Sequence, residues 1–389
     1  MKRARHLLVN QNGIVLAGSL VILSALAVAG VAARVMLRTD HRSVANLRTG
    51  SQAFYLAASG IEWSKNQVLA TNGLTPAPAG GTIYFTSGSF AVSFPSLLTT
   101  GPLSAQLVVQ SVGLLGANTH SLQARLTKYY DLGDSALGLR GNIGAVSFSG
   151  TGIAISGVDY NSATGQPVAG SKGRLALSTD SQSLSDLVSA QSAALPTGSL
   201  QGGSSAAAVG PSSYFGSTIV SQLADQLCAA PGAVVLQIPV SGQLALANQS
   251  WGTLAAPQIR CIDGAAGAGD GVALSGISSG AGILVVRNAD LILSGTLRWD
   301  GLIIVTGSEV ALRSLAGSTT NIFGSILISE TGNPSPSAVA LEVNGSFRAS
   351  FSRTALNPAA ALIPTGQLAG LYASLPVSIK QDYWRSVTP

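Results

Sequence analysis

The chain has 389 residues, of which only 10% are charged and 5% aromatic, whereas 46 are glycine. This composition excludes a charge-rich disordered chain, disfavours a helical bundle and favours β structure. The net charge of +5 depends on Lys2, Arg3 and Arg5, because 18 basic and 16 acidic residues remain without them. No basic patch with interleaved aromatic residues is present, so the sequence predicts no nucleic-acid partner.

Residues 1–13 form a short basic leader, and an uncharged apolar segment follows from Ile14 to Ala33. Ser19 and Ser24 carry the only polar side chains in that segment. Twenty residues at about 1.5 Å per residue make about 30 Å of helix, enough to cross the hydrocarbon core of a membrane. The sequence therefore predicts a membrane-spanning helix over 14–33, and the basic leader places the N-terminus in the cytoplasm.

The helical pattern continues beyond the apolar segment, and no proline interrupts it before Pro76. Arg34, Arg38 and Arg42 recur at intervals of four residues, which puts them on one helix face. We therefore expect one long helix over 14–70, half inside the membrane and half outside it.

The leader ending in Gly13, the apolar helix and the segment QAFYLAASGIEWSKN (52–66) together resemble the N-terminal region of type IV pilins and pseudopilins, in particular PilX-type minor pilins. The resemblance implies that prepilin peptidase cuts after Gly13 and that the new amine of Ile14 is methylated. It also implies a single-pass protein of the bacterial inner membrane that later joins a pilus at the cell surface. Its partners would be other pilin or pseudopilin subunits and the inner-membrane assembly platform.

One position departs from the pattern of this family. Most pilins have Glu at the fifth mature position, where it offsets the charged amine of a neighbouring subunit, but this chain has Gly18 there and no acid before Asp40. Because an unpaired buried charge costs several kcal/mol, the departure predicts a subunit at the filament tip or in priming. An ordinary single-pass anchor that keeps its leader is the alternative.

Two short regions follow the helix. Residues 71–81, rich in proline and glycine, predict a linker where the helix ends. Residues 82–130 contain short apolar runs separated by turn residues, which predicts a small antiparallel β-meander. Such a sheet would pack on the exposed half of the helix, with Phe54 and Trp63 as core contacts.

Residues 131–389 predict a β-rich exported domain, so that the fold class of the whole chain is α+β. Gly282, Gly301 and Gly324 each precede an apolar β run and are spaced 19 and 23 residues apart, as in the coils of a short parallel β-solenoid. Ser294 and Thr296 fit outward or corner positions. A β-sandwich is the alternative architecture.

An insertion at about 171–271 interrupts this β-rich domain. Two helical patterns lie within it, DSQSLSDLVSAQSAAL and FGSTIVSQLADQLCAA, and a low-complexity linker at 202–213 separates them. Near the C-terminus, GQLAGLYASL predicts a short helix. We expect Tyr383 and Trp384, which follow it, to close one end of the solenoid.

Cys228 and Cys261 are the only cysteines, and both belong to the exported region. A disulfide between them is expected there, and two separate buried thiols are the alternative. No C-x-x-C motif or nearby histidine predicts a metal site.

The sequence contains no convincing catalytic group and predicts neither an enzyme nor a cofactor. His6, His41 and His120 form no Ser-His-Asp or Cys-His arrangement, and the glycine-rich run at 263–271 lacks the spacing of a calcium or phosphate loop. A membrane-tethered solenoid that binds or cleaves surface polysaccharide is the alternative function. It would use Trp251 and Trp299, or carboxylates that meet across coils: Asp263, Asp270, Asp290, Asp300, Glu309 and Glu330.

Overall fold

The computed structural model describes residues 4–74, 78–203, 207–239, 242–264, 271–331 and 339–387, with side chains from residue 15 onward. One helix, α1 (Ala4–Ala70), comes first and is 67 residues long. Everything after α1 is called the head below. The glycine-rich run at 263–271 falls mostly outside the described residues, as do parts of the linkers expected at 71–81 and 202–213.

The second half of α1 packs on an antiparallel sheet, as the sequence predicted. Alternating buried residues on β3, such as Ala105, Leu107 and Val109, face the helix side, because successive side chains of a strand point to opposite faces. The half-buried Phe54 and Trp63 contact this core. Its first four strands are β1 (Gly81–Phe85), β2 (Gly88–Gly101), β3 (Ser104–Leu115) and β4 (Asn118–Tyr130).

The rest of the head is mainly β structure and includes four short α-helices. From β5 to β12 the elements are β5 (Ser135–Gly141), β6 (Ala145–Phe148), β7 (Ala154–Ser156), β8 (Tyr160–Asn161), β9 (Gln166–Pro167), β10 (Leu175–Thr179), α2 (Gln182–Ser192), β11 (Leu200–Gln201) and β12 (Val209–Pro211). From α3 to β18 they are α3 (Ser217–Cys228), β13 (Val234–Gln237), β14 (Gln243–Ala247), β15 (Ser250–Trp251), β16 (Gln258–Asp263), β17 (Gly271–Ser275) and β18 (Ile277–Arg287).

The remaining elements complete the chain. They are β19 (Asp290–Leu293), β20 (Thr296–Gly307), β21 (Leu312–Ser314), β22 (Thr319–Glu330), β23 (Val339–Val343), β24 (Ser346–Phe351), α4 (Arg353–Ala360), α5 (Thr365–Leu371), a 3-10 turn (Tyr372–Ser374) and β25 (Val377–Val387).

Two sheets of parallel strands form the larger part of the head. One has the order β11-β7-β24-β22-β20-β18-β16-β13, with β5, β10, β12 and β15 attached to it, and the other has the order β14-β17-β19-β21-β23-β6. From β16 to β24 the chain alternates between the two sheets, so that each coil stacks on the previous one. The predicted parallel stacking and the α+β class are confirmed, and the antiparallel ladders of a β-sandwich do not occur in these two sheets as described.

The predicted glycine positions lie one above another. Gly282 pairs with Gly301, and Gly301 pairs with Gly324, on three neighbouring strands. Their φ angles are +116°, +147° and +142°, which only glycine adopts without strain. Ser294 and Thr296 are exposed at the corner between β19 and β20, as expected.

The two helices predicted inside the insertion are present as α2 and α3. Ser181 caps α2, because its Oγ accepts a hydrogen bond from the backbone N–H of Leu184. The insertion was expected to span about 171–271 and to interrupt the coils. In the structure its last part, β13 to β16, instead belongs to the stacked coils. Their runs are only two to six residues long, and this short length hides the coil pattern in the sequence.

The expectation that Tyr383 and Trp384 close a solenoid end is wrong. Both residues lie on β25, which pairs antiparallel with β4 and forms the fifth strand of the sheet beside α1. Trp384 is 53% exposed, and its ring centroid lies 5.8 Å from that of Phe54 on the helix. The short helix expected before this segment is present as α5.

Candidate functional site: the exposed half of the long helix

The first half of α1 has no covering from the rest of the chain. Its large apolar side chains from Val15 to Leu47 are each 57–72% exposed. An apolar surface of this extent is stable only against lipid or against other apolar surfaces. Within the described residues, α1 is the one helix that is long and apolar enough to cross a membrane.

The polar groups inside this apolar stretch are satisfied within the helix itself. Ser19 Oγ donates to the carbonyl of Leu16 at 2.9 Å, and Ser24 Oγ donates to the carbonyl of Val21 at 2.8 Å. Because hydrocarbon offers no hydrogen-bond partner, this arrangement suits a lipid or an apolar helix environment.

The predicted cleavage region lies at the beginning of the same helix. Gly13 and Ile14 have helical backbone, and the described side chains begin at Val15. A Cβ built on Gly18 would meet no atom within 4 Å. The space around Gly18 is therefore open to a neighbouring molecule.

The second half of α1 is held tightly by the head. A Cβ on Gly113 of β3 would lie 2.0 Å from the carbonyl oxygen of Ala53, so only glycine permits this approach of strand and helix. Ala57, Ile61 and Val68 are buried in the same interface. One continuous helix therefore joins an uncovered apolar rod to a firmly docked head.

Lys128 fixes the C-terminal end of α1. Its Nζ donates to the carbonyl oxygen of Thr71, and to that of Gly73 at 3.0 Å. The last turn of α1 has no basic residue of its own, and a cation is favourable near helix carbonyls. Burial lowers the pKa of Lys128 to about 8.

A disulfide links Cys228, at the end of α3, to Cys261 on β16. The expectation for these two residues is therefore met, and the bond attaches the helical insertion to the coils. Both cysteines are buried, being 9% and 0% exposed.

Three of the carboxylates that could have met across coils pair instead with arginines, and Glu330 accepts a hydrogen bond from the backbone N–H of Glu309. Asp290 binds Arg313 at 3.0 Å, and Asp300 binds Arg298 at 3.2 Å. Burial raises the pKa of Asp290, and Arg313 opposes that rise. Asp263 pairs with Arg287, while Asp270 lies outside the described residues.

The described residues contain no group of three or more His, Cys, Asp and Glu that could hold a metal ion. His41 is exposed on α1, and His120 stacks edge-on against Phe54. Trp251 and Trp299 are 5% and 0% exposed, so neither offers a surface for stacking on a sugar.

Sequence reasoning missed an ion-pair network where the antiparallel sheet meets the coils. Arg353, at the start of α4, donates to Asp131 at 2.6 Å and to Asp159 at 3.0 Å, and Arg174 also binds Asp131. Asp131 and Asp159 are only 3% and 4% exposed. Asp131 and Arg353 are 222 residues apart, and no local pattern signals such a pair.

The fold and the exposed helix define an α+β protein whose N-terminal apolar helix fits a single-pass membrane anchor. No family model matches the chain, and no curated protein matches it. Among solved structures it is similar to the competence-associated pilin ComZ from Thermus thermophilus, with 12% identity over 87% of this chain and 97% of that chain. The TM-score is 0.24.

Proposed function

We propose that the chain is a minor pilin or pseudopilin, a structural subunit of a type IV pilus-like or type II secretion-like filament. The observation that carries this proposal is the continuity of α1, whose uncovered apolar half extends directly from a half that is docked in the head. Pilin-like assembly needs both halves of α1. The apolar half must leave lipid and pack among the apolar helices of other subunits, while the docked half holds the head at the filament surface.

The same surface would serve in both environments. Lipid would cover the apolar side chains from Val15 to Val31 before assembly, and apolar helices of other subunits would cover them afterwards. Lipid and apolar helices solvate such side chains almost equally well, so the transfer has little hydrophobic driving force of its own. Extraction would therefore depend on the inner-membrane assembly platform, which we propose as a partner.

The leader would have to be removed before assembly. Its basic residues, Lys2, Arg3 and Arg5, would hold the N-terminus in the cytoplasm and would be costly to bury among apolar helices. Cleavage between Gly13 and Ile14 by prepilin peptidase, with methylation of the new amine, leaves a chain that begins with the apolar segment.

The absence of an acid at Gly18 supports a position at the filament tip or in priming. A subunit in the shaft must offset the positive charge on the N-terminal amine of a neighbouring subunit, whereas a subunit at the tip has no neighbour above it. We expect Gly18→Glu to enter the filament shaft more often than the wild type. The matched control is Gly30→Glu, since Gly30 lies in the same apolar segment and is equally open.

Immunogold labelling of sheared filaments measures the outcome. More label along the shaft for Gly18→Glu than for Gly30→Glu supports the end position. Label confined to the tips in both variants contradicts this account of the missing acid.

A deletion strain separates filament assembly from the alternative role on polysaccharide. Loss of pili or of secretion, restored by the wild-type chain, supports a subunit of the filament. Intact filaments together with altered glycan binding would contradict it. Co-purification of the mature chain with neighbouring subunits would then identify which filament system it serves.

A further inference from the structure

A cationic stripe lies on α1 just beyond the apolar segment. It consists of Arg34, Arg38, His41, Arg42 and Arg48. At 3.6 residues per turn, these side chains occupy an arc of about 120° and a length of about 21 Å. All five are exposed, and none of the arginines has an ion-pair partner in the described part of the chain.

A second copy of this chain is a poor partner for the stripe. From residue 15 to residue 61 the helix has one acidic residue, Asp40, and helical geometry places it on the side away from the stripe. The next acid is Glu62, which already pairs with Lys65. Two parallel copies would therefore bring arginines against arginines, which is unfavourable.

Anionic lipid headgroups reach only part of the stripe. The polar layer on each side of a bilayer is about 5 to 7 Å thick, so a helix that leaves the membrane at Ala33 keeps Arg34 and Arg38 within that layer. Arg42 and Arg48 lie about 12 and 21 Å along the helix from Arg34, which is beyond the layer. A parallel helix, in contrast, runs beside the whole stripe.

We propose that the cationic stripe is the docking surface for a different filament subunit, whose parallel helix carries Asp or Glu residues at the same level. This inference rests on the proposed function, because the apolar segments of the two subunits must lie side by side. It explains how the chain would select a heterologous neighbour rather than itself, since charge complementarity rewards one pairing and penalises the other.

The test uses the chain as its own probe. Every form carries Ala45→Cys, because Ala45 lies at the centre of the stripe and gives a disulfide when two stripes meet. The acid-stripe variant adds Arg34→Glu, Arg38→Glu and Arg42→Glu. The control variant keeps the arginines and carries three acids on the opposite face, at exposed positions: Met36→Glu, Ser43→Glu and Leu47→Glu.

Full-length chains with tags of two sizes are mixed in a non-ionic detergent at low salt with dissolved oxygen as the oxidant, and the rate of disulfide dimer formation is measured. We expect the unaltered stripe to couple with the acid-stripe variant about tenfold faster than with itself, equivalent to about 1.4 kcal/mol. At about 1 M salt the Debye length falls to about 3 Å, and the difference should disappear. Circular dichroism shows that each variant keeps its helix, because the altered residues are exposed in the folded chain.

Three results would overturn the inference. The first is equal coupling of the unaltered stripe with itself and with the acid-stripe variant. The second is equally fast coupling with the control variant, because the opposite face should not matter. The third is rapid coupling of the unaltered stripe with itself once phosphatidylglycerol is added, which would assign the stripe to anionic lipid.

The coupling ratio tests the acidic partner, whereas cleavage of the leader tests the filament role. A native chain that keeps residues 1–13 would contradict the proposed filament role whatever the ratio is. A cleaved leader together with a ratio near one would leave the filament role intact and would reject only the acidic partner.

Discussion

Close stacking of the coils in the head requires glycine at position 301. Its φ is +147°, and an added Cβ would lie 2.0 Å from the carbonyl oxygen of Gly282 on the preceding coil. Gly301→Ala would therefore strain its own backbone and push two coils apart. A φ that only glycine favours costs about 1–3 kcal/mol, and overpacking adds a similar amount, so we expect a loss of about 2–6 kcal/mol.

Gly366→Ala is the matched control for this substitution. Gly366 lies in α5 without a positive φ, and an added Cβ would meet no atom within 4 Å. Alanine is favoured over glycine in a helix by about 1 kcal/mol or less, so this variant should be as stable as the wild type or slightly more stable.

Urea unfolding of the full-length chain in a non-ionic detergent measures the difference between these variants. Trp299 is fully buried next to Gly280 of the coils, and it contributes to the tryptophan fluorescence that reports on their unfolding. We expect a lower urea midpoint for Gly301→Ala and an unchanged slope. A midpoint equal to that of Gly366→Ala would refute the reasoning, because it would mean that the coils are not stacked as closely as described.

Three further predictions concern the stability of the head. Cys228→Ser together with Cys261→Ser should lower the free energy of unfolding by about 3–4 kcal/mol, the chain-entropy value for a loop of 33 residues, as judged by urea unfolding without reductant. Asp131→Asn leaves the partly buried guanidinium of Arg353 with Asp159 as its remaining counter-charge, so a loss of about 3 kcal/mol is expected in the same assay. Burial lowers the pKa of Lys128 from 10.5 to about 8, so above pH 8 the folded state loses a proton that the unfolded state keeps. The free energy of unfolding should therefore rise between pH 8 and pH 10, and Lys128→Met should abolish this rise.

Local patterns predicted much of the fold. The uncharged run Ile14–Ala33 and the helical spacing after it predicted α1, and the spacing of Gly282, Gly301 and Gly324 predicted stacked parallel coils. In each case the signal is a short repeat or an unbroken run, and the physical constraint acts on neighbouring residues. Such constraints are visible in a single sequence.

Long-range pairings were not predictable in this way. β5 and β6 stack on β22 and β23, although the chain makes most of the coils between them. β25 leaves the coils and returns to β4, because its half-exposed residues suit an edge strand beside the helix and not the end of a solenoid. Nothing within the DYWRS segment itself distinguishes these two positions.

The candidate site was predicted unevenly for the same reason. The exposed apolar helix was predicted from the uncharged apolar run, and the disulfide between Cys228 and Cys261 was expected because they are the only two cysteines of an exported region. The network around Asp131 joins residues from three separate regions, so only the folded chain reveals it.

The mass of the mature N-terminus tests the central claim most directly. The claim is that the helix beginning at Ile14 leaves the membrane and joins a filament. Intact-mass and N-terminal peptide mass spectrometry should be applied to the native chain from a strain with active prepilin peptidase. The account predicts a chain that begins at Ile14 with a methylated amine, whereas a chain that still begins at Met1 would contradict it.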